Sequence, residues 1–261
     1  MRRISILITL ALVTLPAIAE EKSVRKISVF LDSAIPHFAV GGPQWQTTFI
    51  FHNPSEELEK FYLSFLGDNG RPLPVPVLGG MNSSVLITLP PHATYKLVSD
   101  YRPDMATLSG GALITDPYTC SDCRFYYSTV HTIFAMNDLQ QKKFLCEATV
   151  PQESAYENNV VLVYDQKGYV MGVGLMNPST WEIKKVTATV YNEGNQLLRT
   201  EQFYMDPLTH QAFELNDRYP ETAGKLGYVK FSTEGMGGIA GIGLRFSPNG
   251  TFTSMHFISA D

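Results

Sequence analysis

Apolar and polar residues alternate with a period of two through most of this chain, the pattern of strands with one face on a core. In the first half the alternation runs from Ile27 to Leu31, Thr47 to His52, Val85 to Leu89, Tyr126 to Phe134 and Lys143 to Val150. In the second half it runs from Val160 to Tyr164, Val170 to Met176, Leu197 to Tyr204, Tyr228 to Ser232 and Ile239 to Phe246. Gly, Pro, Asn and Asp punctuate these runs roughly every 8–12 residues, as in sandwiches and barrels. Ser247-Pro248-Asn249-Gly250 predicts a hairpin, because Asn-Gly tolerates the positive φ angles of tight strand turns. Helical signal is confined to Gln211 to Tyr219, ended by Pro220.

An internal repeat organises the strands. Asn53-Pro54-Ser55 reappears as Asn177-Pro178-Ser179, 124 residues later, and Gly70 matches Gly194 at the same offset. Pro91 with Pro207 and Gly111 with Gly227 match at 116. Phe61, Leu63 and Phe65 alternate as Val186, Ala188 and Val190 do, but at 125. A one-residue indel must therefore restore the phase, since a slipped strand swaps its faces. Proline forces each Asn to be extended, and Asn or Ser side chains satisfy turn backbone, so both motifs read as turns. The expected fold is all-β, two antiparallel sandwiches with a boundary near Pro151 to Asn158: residues 20–151 and 158–261.

The N-terminus changes the compartment rather than the fold. Arg2 and Arg3, the apolar run from Ile4 to Leu15 and Ala17-Ile18-Ala19 have the layout of a signal peptide, residues 1–19. The apolar run is short of the about 20 residues of a membrane span. Cleavage leaves 242 residues and removes two arginines, taking the net charge from −5 to −7. The expected location is periplasmic or extracellular, with no membrane span in the mature chain. Net acidity disfavours nucleic acid, which needs a concentrated basic surface.

Three stretches carry a resemblance: Trp45 through Asn53-Pro54-Ser55, the Asp68-Asn69-Gly70 turn, and Gly243 through Ser254 with its Ser-Pro-Asn-Gly turn. Together they resemble exported bacterial proteins of tandem immunoglobulin-like β-sandwiches, in which an Asn-Pro-Ser step closes an early strand. The resemblance covers nearly the whole mature chain and implies the fold. It supplies no catalytic residues. The three cysteines and the aromatics after Cys123 depart from that pattern.

Candidate chemistry is sparse. Cys120-Ser121-Asp122-Cys123 is the most conspicuous motif, but a redox pair needs a stabilised thiolate, and Asp122 has the wrong charge for that. A zinc set of Cys120, Cys123, Cys146 and His131 lacks the second Cys-x-x-Cys half. The favoured reading is a Cys120–Cys123 disulfide in a surface turn, with Cys146 a buried free thiol. If Met136 to Leu139 is a hairpin tip, Cys146 pairs opposite residue 129, placing Cys123 roughly 20 Å away.

Gly235 through Ala240 fits the dinucleotide fingerprint formally, but a strand pattern follows where a helix is needed. Gly241 and Gly243 on that strand predict close packing against the other sandwich. Of the six histidines, none lies in a metal-binding or nucleophile-activating spacing, and His131 and His256 read as structural. Neither metal nor cofactor is expected. Consecutive Phe125-Tyr126-Tyr127 must expose at least one ring, and Trp45, Tyr95 and Tyr101 are candidates to join it in a binding patch.

These observations favour a non-catalytic exported protein with a binding or structural role at the envelope, its partner a protein or glycan. The alternatives are a periplasmic chaperone-like peptide binder, and a hydrolytic or thiol-based enzyme.

Overall fold

The computed structural model describes residues 33–115, 128–138, 143–152, 157–235 and 237–260. The expected leader, the run from Ile27 to Leu31, Cys120, Cys123, Phe125, Tyr126 and Tyr127 lie outside them. Every strand pairing among the described residues is antiparallel, and the fold is an all-β sandwich. No helix among them is long and apolar enough to cross a membrane.

In the first half the strands are β1 (Ser33–Val40), β2 (Trp45–His52), β3 (Glu59–Leu66), a short hairpin of β4 (Val75–Val77) and β5 (Gly80–Asn82), β6 (Ser84–Leu89), β7 (Thr94–Val98), β8 (Leu108–Thr115), β9 (Thr129–Asp138) and β10 (Lys143–Val150). They form sheets of order β1-β8-β3-β6 and β10-β9-β2-β7. The second half contains β11 (Asn159–Asp165), β12 (Val170–Met176), β13 (Lys184–Asn192), β14 (Leu197–Met205), β15 (His210–Glu214), β16 (Leu226–Thr233), β17 (Ala240–Phe246), β18 (Phe252–His256) and β19 (Ile258–Ser259). Its sheets are β14-β13-β16-β11-β19 and β15-β12-β17-β18. Strand for strand this is the order of the first half, with β19 added at one edge.

Alternation located most strands well, and β10 and β12 match to the residue. Where helix was expected from Gln211, the chain continues as β15. Among the described residues only Leu215–Arg218 is α-helical, followed by a 3-10 turn at Pro220–Thr222. The Ser247–Gly250 hairpin forms, with Gly250 at φ 87° and the Ser247 N–H donated to the Thr251 carbonyl.

The repeat is real in three dimensions, but two glycine matches were one residue out. The turn after β3 closes Gly70 N–H to Gly67 O, and the turn after β13 closes Asn195 N–H to Asn192 O. Gly70 and Asn195, both at positive φ, are therefore the equivalent pair, not Gly70 and Gly194. Asn is the other residue that enters this region routinely. Likewise Gly110, not Gly111, corresponds to Gly227. Each lies opposite a fully buried aromatic, Phe38 on β1 or Tyr164 on β11.

A matching turn follows β6 and β14, with His92 (φ 57°) and Leu208 (φ 63°) at its third position. His92→Gly should raise stability by about 0.5 kcal/mol in urea unfolding, since relief of the left-handed strain exceeds the entropy glycine adds to the unfolded chain. The exposed His92–Glu56 pair that is lost contributes little. A destabilised variant would contradict this.

Residues 31–261 cluster as one unit. Within it, Ile242, Leu244 and Phe252 of the second half belong to the core of the first. From Ala34 to Val40, β1 is buried on both faces because it lies between the halves. Gly241 and Gly243 do not make this contact. Their missing side chains leave room for Phe257 and Leu162 of their own half, and Ile242 and Leu244 face across instead. Glycines do admit the neighbour elsewhere: Gly111 lies against Met176, and Gly174 against His37.

Candidate functional site

The join between the halves contains an arrangement of chemistry-bearing groups that spacing could not show. Pro36 has no N–H for the ladder, and the β1–β8 register shifts between Ile35 and Phe38. This bulge turns His37 towards the second half while Phe38 stays in the core. Across the join, His210 begins β15. The Gly67–Gly70 turn brings Asp68 over it, and the Asp68 carbonyl accepts the His210 N–H. Gly70 makes the approach possible, because a side chain there would strike the Pro207 carbonyl.

The three side chains form a chain of hydrogen bonds. Asp68 Oδ1 lies 2.7 Å from His210 Nδ1, and His210 Nε2 lies 3.1 Å from His37 Nδ1. The two rings stack with centroids 5.2 Å apart, and Phe134 meets His37 edge-on. Both imidazoles are buried, whereas the Asp68 side chain is 70% exposed. Burial lowers the His37 pKa to about 3, and charge on His210 acts in the same direction, with Asp68 opposing. The hydrogen bond from His210 lowers the Asp68 pKa. An ionised Asp68 accepts the Nδ1–H of His210, and a second hydrogen bond joins His210 Nε2 to Nδ1 of His37.

This Asp–His pair has the geometry that orients a general base, but its third member is an imidazole rather than a hydroxyl or thiol. Both His210 nitrogens are committed, so the chain is suited to holding the join. Sequence reading missed it because His37 and His210 are 173 residues apart. The two histidines read as structural, His131 and His256, are exposed.

The Asn-Pro-Ser motifs are structural anchors. Asn53 Nδ2 donates to the carbonyls of Glu57, Leu89 and Pro90, and its Oδ1 accepts the Ser55 N–H. Asn177 repeats this with Glu182, Met205, Asp206 and Ser179. Pro54 and Pro178 follow directly, at the turns these side chains close. Nearby, Glu59 accepts the N–H and hydroxyl of Ser128. Its counterpart Lys184 instead pairs with Glu182 at 2.6 Å.

Among the aromatic candidates, Trp45 turns inward, its ring centroid 5.7 Å from those of Phe134 and Phe252. Tyr95 and Tyr101 are exposed, Tyr95 with its ring stacked near Phe51. Cys146 carries a free, half-buried thiol, its pKa raised by burial. It pairs opposite Met136, not residue 129, because β9 continues to Asp138, which pairs with Lys143, past the start of the expected tip. His131 is therefore five residues along β9 from Cys146's partner, roughly 16 Å, too far for a shared zinc ion.

The two most exposed aromatic side chains among the described residues lie elsewhere, with an exposed isoleucine near one of them in sequence. Trp181 (70% exposed) and Ile183 lead into β13, and Tyr204 (66%) stands opposite Lys185 at the start of that strand. The fold defines an antiparallel all-β sandwich protein. No family model, curated protein or solved structure matches the chain.

Proposed function

We propose that the mature chain is an exported, non-catalytic protein of two immunoglobulin-like sandwiches, binding a protein or glycan at the cell envelope. The observation that carries this reading is the exposure of Trp181 and Ile183 just ahead of β13 and of Tyr204 on the edge strand β14, opposite the start of β13. Aromatic rings held by strands are contact surfaces of low entropic cost, common at the centres of interfaces. The repeated strand order supports the immunoglobulin-like assignment, and the shared core at the join supports a rigid body that presents this edge. A peptide-capturing chaperone would need a basic cleft between its sandwiches. Here Ile242, Leu244 and Phe252 fill that position.

Retention of the mature protein on envelope fractions and immobilised glycans tests the reading. Trp181→Ser combined with Tyr204→Ser should lower retention about tenfold, as expected of hot-spot aromatics, without lowering Tm. Equal retention of the variant and the parent protein would rule out this edge as the binding surface.

A further inference from the structure

We propose that the Asp68–His210–His37 chain is an acid-operated latch between the two halves. Its geometry accommodates one added proton but not two. With one, His210 carries both N–H groups and donates from Nε2 to the unprotonated Nδ1 of His37, while Asp68 balances the charge. With a second, two N–H groups face each other across 3.1 Å with no acceptor between them. The hydrogen bond becomes a repulsion between adjacent imidazolium rings, and a single carboxylate cannot neutralise both.

Among the described residues, the charged groups that act on His37 are His210 and Asp68. Phe134 of β9 meets its ring, Gly174 of β12 lies under its side chain, and neither ionises. The exposed Asp68 gives protons a route from solvent to His210 and on to the buried His37. The latch also sits where opening is informative. It bridges β1, the turn after β3, and β15, elements that hold one half to the other, while β13, packed between β14 and β16, lies away from it. Acidification therefore loosens the join before it unfolds either sandwich.

Hydrogen exchange of the full chain between pH 7.5 and 4, corrected for the intrinsic pH dependence of exchange, reads this directly. Protection of residues 33–40 and 206–214 should fall at least tenfold in acid and recover on neutralisation, while 186–190 stay protected. In His37→Gln and in His210→Gln the selective loss should disappear or move by a pH unit or more. Uniform loss along the parent chain, or variants that open like the parent, would overturn the latch. Imidazole NMR of the parent supplies a test that needs no variant: both rings must become charged only as the join opens. Two charged rings in the closed form would refute it.

Discussion

Replacing Asn177 with alanine should destabilise the protein by about 3–5 kcal/mol in urea unfolding, with the same result for Asn53→Ala. Each amide is fully buried and contacts three backbone carbonyls while accepting one N–H. Truncation removes these bonds in a site closed to water: the Asp206 carbonyl keeps Thr209, whereas the Glu182 carbonyl and the Ser179 N–H lose their side-chain partner, at roughly 1–3 kcal/mol for each group left unsatisfied. The carbonyls come from both sides of the turn, from Glu182 ahead of β13 and from Met205 and Asp206 at the end of β14, so the loss unties two connections together.

Asn177→Asp separates this account from a simple loss of packing. A carboxylate of the same shape cannot donate, and it would face three carbonyl oxygens. At pH 7 it should be worse than alanine. Burial and those dipoles raise its folded-state pKa above the unfolded value, so its penalty relative to the parent should shrink as pH falls through the folded pKa. An aspartate variant as stable as the parent at pH 7 would overturn the anchoring role.

Gly227→Ala should cost about 3 kcal/mol or more, at the upper end of overpacking penalties. A Cβ there would sit 2.1 Å from the Tyr191 carbonyl oxygen, at the Asn192 end of the β13–β16 ladder, and 2.6 Å from the Tyr164 hydroxyl. That hydroxyl donates to the same carbonyl, 3.0 Å away, and burial raises its pKa to about 12. An added methyl must therefore push the paired strands apart and displace a buried hydrogen bond. Gly110→Ala meets the same obstacle at the Leu66 carbonyl, 2.0 Å away, under the Phe38 ring. By contrast, Gly168→Ala meets nothing within 4 Å, although its φ of 85° carries its own strain. Thermal or urea unfolding of the three variants should rank Gly110 and Gly227 well above Gly168 in cost.

These paired sites show why the repeat was legible and its register was not. Asn-Pro-Ser survives in both halves because one short side chain must satisfy the same backbone groups twice. The glycine landmarks drifted because either Gly or Asn serves a left-handed turn, as at Gly70 and Asn195. Two adjacent glycines, Gly110 and Gly111, also hid which one faces the aromatic ring and which faces Met176. Similarly, the Gly241 and Gly243 face was recognisable as close packing, but period two cannot say which of two sandwiches a face meets.

The sequence by itself determined the all-β class, most strand positions, the Ser247–Gly250 hairpin and the repeated asparagine turns. Each of these follows from local rules: side-chain alternation, backbone torsion preference, and hydrogen bonds within a turn. Only the tertiary structure decided that Trp45 is turned inward, that β1 is buried on both faces, and that Asp68, His210 and His37 form one chain. Those outcomes depend on which surfaces meet across more than a hundred residues, where burial and partnership, not spacing, set the chemistry of a side chain.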